Sequence, residues 1–230
     1  MLYLGNPSTE LVRKHMAARD DFGAMMTPKQ GNKLPDDVVF ACDNGCYGDG
    51  WPGYGKWISF LESLAPYADR CLFAVAPDVF RPDLGRGDSV ATLKRSLPWL
   101  PVIRSLGFPA AFVAQEGSEA PGMIPWDLVD VVFIGGGDEW KLGRPSQLVI
   151  EAALARGKRV HFGRKVNGLS SMWKAHNRGC HTSDSTYIRY GPDKNVLDVI
   201  QWLDIINNHG EMFAAAGPLA GTPNQGGDGA

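Results

Sequence analysis

Polar residues recur at the ends of short apolar runs, and their types suit the chemistry of sugars and bases. Asp43 follows Phe40-Ala41-Cys42 and opens Asp43-Asn44-Gly45-Cys46-Tyr47, while Asp78 closes Ala76-Pro77-Asp78. Gln115 ends the run 110–114, Gly135-Gly136-Gly137 follow Ile134, and Arg164-Lys165 follow His161-Phe162-Gly163. Asp184 lies in Ser183-Asp184-Ser185-Thr186. A carboxylate can attack an electrophilic carbon, stabilise positive charge or carry a proton. An amide offers a donor and an acceptor, and glycine lets a ligand approach the backbone closely. Each piece also reads as turn chemistry, since Asp-Asn-Gly, Pro-Asp and Ser-Asp-Ser favour turns and a lone Gln is commonly a surface residue. Together, three carboxylates, one amide and a glycine run would suit a flat, polar heterocycle.

The elements that must carry these residues follow from the apolar pattern. Strands are expected at Leu2–Leu4, Phe22–Met26, Val38–Cys42, Leu72–Ala76, Ala110–Ala114, Val131–Ile134, Val160–Phe162 and Ser183–Ile188. Most are nearly continuous apolar runs, as parallel strands covered on both faces require. Helices are expected at Trp57–Tyr67, Ser89–Leu106 with a break near Leu97 ahead of Pro98 and Pro101, Pro145–Arg156, Leu169–Asn177 and Asn195–Asn207. Eight strands alternating with helices predict an α/β fold, a single compact (β/α)8 TIM-type barrel over residues 1–207, whose chemistry gathers at the C-terminal strand ends. The connections between residues 5 and 38 are the least patterned. Residues 208–230 turn to Gly, Ala, Pro and Asn, and are read as a disordered tail.

With 44% hydrophobic and 21% charged residues and a net charge of −2, the chain has the composition of an ordinary globular protein. The charge is uneven. Residues 141–194 hold eleven Lys and Arg against three Asp and Glu, which suggests a phosphate-facing half. Arg159, Arg164, Lys165, Lys174 and Arg178 are the candidate phosphate contacts, against the alternative that they solvate helix faces. Tyr47, Trp51, Phe80, Trp140 and Tyr187 are candidates for stacking on a base, or members of the core. Cys42, Cys46, Cys71 and Cys180 lack the spacing of a zinc site, so no metal and no cofactor are expected. No apolar stretch reaches the roughly 18 residues of a membrane span, and no signal peptide is read at the start, so a reducing cytoplasmic location is expected.

The ordered series resembles the tRNA-guanine transglycosylase superfamily, and more closely its smaller phage-type branch, which inserts 7-deazaguanines into DNA. The resemblance runs from about residue 22 to 190. Asp43-Asn44-Gly45-Cys46-Tyr47 stands where the family carries Asp-Ser-Gly-Gly-Phe-Gln, and Asp78 matches its base-recognising Asp. Gln115 matches the base-binding Gln and Gly135-Gly136 the glycine pair. Asp184, five residues after Gly179, matches the nucleophile. The chain departs from the family in having Asn-Gly-Cys for Ser-Gly-Gly and in lacking the cysteine-rich zinc subdomain of the tRNA enzymes. That favours DNA over tRNA as the polynucleotide.

The resemblance implies a pentosyltransferase that replaces guanine with a 7-deazaguanine of the preQ0 type. Asp184 would be the nucleophile at the sugar C1′, and Asp43 the general acid/base. Asp78, Gln115, Gly135 and Gly136 would read the base. The target nucleotide must then be flipped out or single-stranded, and a host cytoplasm would be the setting for a phage enzyme. Three alternatives use the same residues: an RNA-directed transglycosylase, a carboxylate-dependent nucleoside or N-glycoside hydrolase, and a nucleic-acid-binding barrel without activity. His161 alternates with apolar residues and reads as a structural histidine. His181, though close to Asp184 in sequence, has no implied contact.

Overall fold

The computed structural model describes residues 1–29, 31–47, 51–164 and 166–215. Eight strands form a closed, all-parallel barrel: β1 (Leu2–Gly5), β2 (Phe22–Met26), β3 (Phe40–Cys42), β4 (Cys71–Val75), β7 (Ala110–Ala114), β8 (Val131–Ile134), β9 (Arg159–Phe162) and β10 (Thr182–Asp184). Each pairs with its neighbours in chain order, and β1 closes the ring against β10 with Leu4 opposite Asp184. The two remaining strands, β5 (Phe80–Arg81) and β6 (Arg86–Gly87), make a small antiparallel hairpin after β4. This is the expected single (β/α)8 barrel.

Strand alternation divides the apolar residues between two cores. Leu4, Met25, Ala41, Phe73, Val75, Ala111, Val113 and Val131 fill the barrel interior. Their outward neighbours, among them Tyr3, Ala24, Phe40, Ala74, Phe112 and Val132, meet the helices in the larger core. The helical layer comprises α1 (Glu10–Ala17), α2 (Tyr54–Leu64), α3 (Ser89–Ser96), α4 (Leu100–Ser105), α5 (Asp138–Leu142), α6 (Arg144–Leu154), α7 (Leu169–Asn177) and α8 (Pro192–Ala215).

Local chemistry sets the helix boundaries. Asp88 caps α3 by accepting the Ala91 N–H at 3.0 Å, and Leu97, ahead of Pro98, ends it. Pro101 then falls in the first turn of α4, where its missing N–H costs nothing. The helix α1 lies in the stretch that lacked a clear pattern. Thr9 caps it by accepting from Val12 N–H, and it buries only Val12 and Met16, too few positions to show a periodicity.

The last strand is shorter than expected. It stops at Asp184 because Ser185 Oγ accepts the Tyr187 N–H at 3.1 Å and pairs with Tyr3 Oη at 2.7 Å, which turns the chain. Residues Ile188–Tyr190 are a 3₁₀ turn instead of strand, and α8 runs from Pro192 through Ala215, past Asn207. Residues 216–230 lie outside the described residues. Among the described residues no helix is long and apolar enough to cross a membrane.

Candidate active site

The inward-facing positions of successive strands, continued one step beyond the strand, reach the C-terminal mouth of the barrel. Met25 leads to Thr27, Ala41 to Asp43, Val113 to Gln115, Phe133 to Gly135 and His161 to Gly163, while Asp184 is the inward residue that ends β10. With Asp78 and Gly136, these side chains and backbones line one cavity of about 500 Å³, floored by Met25, Val75, Val113 and Phe133. Ligand pockets commonly span roughly 300–1,000 Å³, which accommodates a base with its sugar. All six residues expected to do the chemistry or read the base therefore meet: Asp43, Asp78, Gln115, Gly135, Gly136 and Asp184.

Asp43 emerges directly from β3, its N–H donating to Met26 O at 2.8 Å. Burial, and then the charges of Asp184 and Asp78, push its carboxyl up to about 7. It can therefore hold or release a proton near neutrality. Asp78 is fixed by its neighbour in the turn after β3. Asn44 Nδ2 donates both to Ala76 O and to Asp78 Oδ1 at 2.8 Å, while Asn44 Oδ1 accepts the Cys46 N–H. Burial raises Asp78 as well, and the hydrogen bonds from Asn44 and Cys46 oppose that rise. The Asp-Asn-Gly turn is thus both a turn and the brace of the site.

Gln115 is fully buried, with its amide turned into the wall of the site. Its Nε2 donates to Val79 O at 3.0 Å and to the Thr92 hydroxyl, which fixes the amide orientation. Its Oε1 lies against Gly87 and has no hydrogen-bond partner among the described residues. The amide head is thus held in the wall beside Val79, Gly87 and Thr92, where the sequence allowed a donor and an acceptor to face a ligand. Gly136 adopts φ +76°, and a Cβ there would press on Glu116 Oε2 at 2.8 Å. Glu116 in turn accepts the Gly87 and Gly137 N–H groups at 2.7 and 2.6 Å, tying the β5–β6 hairpin to the glycine run.

Asp184 accepts two hydrogen bonds at Oδ1, from His161 Nε2 at 3.1 Å and from the Arg164 backbone N–H at 2.7 Å. His161 is fully buried between the rings of Phe73 and Phe133, and its Nδ1 meets Thr182 Oγ1 at 2.8 Å. A carboxylate can only accept, so Nε2 carries the proton toward Asp184, and the Thr182 hydroxyl, able to donate or accept, fixes the far side of the ring. The expected structural histidine is therefore also the support of Asp184. His181 sits at the other end of β10, with its Nδ1 accepting the Val160 N–H.

Lys141 is the site residue that sequence reasoning missed. It sits in the short helix α5, is 3% exposed and lines the cavity. Burial lowers its ammonium to about 8, against the opposing pull of Asp184. At the rim the Arg164 guanidinium lies 3.4 Å from the centroid of the Tyr47 ring, and Lys29, Arg189 and the largely exposed Tyr190 complete the edge.

The candidate phosphate contacts divide. Arg164 is at the mouth, while Lys165 lies outside the described residues. Arg159 is the first residue of β9 and donates to Leu72 O at 2.7 Å, which places it at the opposite end of the barrel. Arg178 is an internal clamp, donating to Gln147, Ser146 and the carbonyls of Lys141 and Gly143. Lys174 is exposed in the last turn of α7, which has run back away from the mouth. Contrary to expectation these three do not line the cavity, and Lys29 and Arg189 stand at the rim instead. Of the candidate stacking residues, Tyr47 and Phe80 line the cavity. Trp51 packs on Trp57, Trp140 Nε1 donates to Glu119, and Tyr187 Oη donates to Asp198. Among the described residues no group of three His, Cys, Asp or Glu side chains could hold a metal ion.

No protein-family model and no curated protein matches the chain. Solved structures do. The BexX/CysO complex of Amycolatopsis orientalis is similar at TM-score 0.54 and 11% identity, over 96% of this chain and 94% of that one. A putative deoxyribose-phosphate aldolase from Coccidioides immitis matches at TM-score 0.51 and 12% identity, over 81% of this chain and 79% of that one. The aldolase QR15 matches at TM-score 0.51 and 8% identity, over 88% and 93%. At such identities the likeness is one of fold: this chain is a (β/α)8 barrel with a carboxylate-lined mouth.

Proposed function

We propose that the protein is a base-exchange transglycosylase that replaces guanine in a polynucleotide, DNA in preference to RNA, with a 7-deazaguanine. The observation that carries this reading is the meeting of Asp43, Asp78, Gln115, Gly135-Gly136 and Asp184, from five separate strand ends, in one base-sized cavity. A guanine nucleotide flipped into the mouth would place its C1′ against Asp184, whose carboxylate is aimed by His161 and the Arg164 N–H. The Asp184 oxygen bonds to C1′ as the C1′–N9 bond breaks. The bonding pair leaves with guanine, which takes a proton from Asp43. The deazaguanine then enters, Asp43 accepts its ring N–H proton, and the freed nitrogen attacks C1′ and releases Asp184.

The environments suit the division of labour. Asp43, pushed up to about 7, is the group able to change protonation between the half-reactions, as acid–base catalysis near neutral pH requires. Gln115 Oε1, unpartnered among the described residues, can accept from the base edge once the side chain turns from Gly87 toward the cavity. Lys29, Arg189, Tyr47 and Tyr190 at the rim supply charge and stacking surface to the flanking nucleotides.

The test is incubation of guanine-containing DNA with a 7-deazaguanine base, followed by digestion and mass analysis of the nucleosides. Appearance of the deazaguanine deoxynucleoside with release of free guanine is the expected result. Release of guanine without incorporation would identify a hydrolase, and incorporation only into RNA would reassign the acceptor.

A further inference from the structure

We propose that Lys141 is a positioning residue for Asp184, acting through the single peptide group between Gly163 and Arg164. Lys141 Nζ donates to the carbonyl oxygen of that peptide at 2.6 Å, and its N–H donates to Asp184 Oδ1 at 2.7 Å. An ammonium at the oxygen end and a carboxylate at the N–H end both align with the peptide dipole. Each hydrogen bond strengthens the other by polarising the amide. Among the described residues Lys141 forms no ion pair within 4.0 Å, and of the acidic groups that favour its charge Asp184, across the peptide, comes ahead of Glu116.

Two features show that this peptide is held in place. Arg164 adopts φ +55°, a left-handed conformation that side chains other than glycine's rarely take and that surrounding contacts must maintain. A Cβ at Gly163 would run into the Phe133 ring, so the carbonyl can reach Lys141 only with glycine there. Lys141 is itself anchored: its own carbonyl accepts from Ser146 Oγ at 2.8 Å and from Arg178 Nη1 at 2.5 Å. The clamp by Arg178 thus extends to the nucleophile through two further links. The electrostatic influence of Asp184 on Lys141 agrees with this closeness.

The inference rests on Asp184 being the reacting group of the proposed function, yet its geometry can be tested without any reaction. Lys141→Met keeps the stem and removes the charge, and Lys141→Arg restores a donor. In wild type the Arg164 amide proton is expected far downfield and slow to exchange. In Lys141→Met it should move upfield and exchange faster, and in Lys141→Arg part of both effects should return. With base exchange as the assay, Lys141→Met should lower kcat about 100-fold, the scale of a small misplacement of a reacting group, with KM for the incoming base unchanged. An Arg164 amide unmoved in a folded Lys141→Met protein overturns the relay whatever the activity. Loss of the amide signature in a protein whose wild type exchanges no base upholds the relay and removes the transglycosylase reading alone.

Discussion

The two ends of the barrel treat aspartate in opposite ways. At the N-terminal end, Asp21 and Asp130 stand just before β2 and β8 and are matched by arginine. Arg19 bonds Asp21 at 2.8 Å, and Arg104 grips both oxygens of Asp130 at 2.7 and 2.9 Å. Burial acts to raise both carboxyls, but the arginine bonds and charges, joined by hydrogen bonds from Asn207 to Asp21 and from the Ala110 N–H to Asp130, together outweigh it, so both are lowered. At the C-terminal mouth, Asp43 and Asp78 are half-buried as well, but among the described residues neither has an ion pair, and both are raised. Residue type is therefore no guide to role. The lower face uses carboxylates to hold the ring together, and the mouth leaves them without cationic partners, at a cost in stability near neutral pH.

The sharpest way to break this contrast is at Asp184. Asp184→Asn keeps a side chain of the same shape and loses the nucleophile. Base exchange should fall by roughly 1,000-fold or more while DNA binding stays near wild type. Exchange rates at the wild-type level in this variant would remove the mouth from the chemistry.

Asp43 comes next, because it couples activity to stability. A carboxyl raised to about 7 in the folded chain binds a proton that the unfolded chain has already lost above about pH 4. Stability is therefore lost as pH rises from about 4 to about 7, and stays reduced above that. Asp43→Asn removes the penalty. It should raise the unfolding free energy at pH 8 by roughly 1–3 kcal/mol, leave it unchanged below pH 4, and lower exchange about 100-fold. Chemical denaturation at both pH values checks the sign, and a variant destabilised at pH 8 would contradict it. In the wild type, release of guanine should slow above about pH 7 as Asp43 loses its proton, measured in single turnovers.

The smallest effect is expected at the other end. Asp130→Asn leaves Arg104 without its partner, but both side chains are 35% exposed and solvent screens the pair. The cost should be about 1 kcal/mol or less in denaturant melts, with exchange unchanged. Loss of exchange here would mean that the two faces are not independent.

Much of this could be read from the residues in order, and the failures have a common cause. The runs 110–114 and 131–134 are strands to the residue, because short parallel strands covered on both faces leave continuous apolar segments. The strand-end polar groups were legible for the same reason: alternation carries the inward face one step past the strand. Arg159 and Arg178 were misplaced because a local charge count ignores which side of a strand a residue falls on. Arg159 opens β9 and Arg178 lies ahead of β10, and residues at or before the start of a barrel strand emerge at the lower face. The contact of His161 with Asp184 needed register as well as period, since Thr182 lies opposite His161 and Asp184 one inward step above. Lys141 left no signal at all. Helix α5 has five residues, too few for a pattern, and the carbonyl that receives the ammonium belongs to another strand's end.

The central claim is that Asp184 bonds to the sugar carbon that loses its base. The most direct measurement is intact-protein mass spectrometry after incubating wild-type protein with a guanine-containing oligodeoxynucleotide and no incoming base. A covalent adduct is expected, with the mass of the oligonucleotide less guanine, mapping by peptide digestion to Asp184, absent in Asp184→Asn and discharged on adding a 7-deazaguanine. An adduct on any other residue, or base exchange that proceeds in Asp184→Asn, would contradict the account.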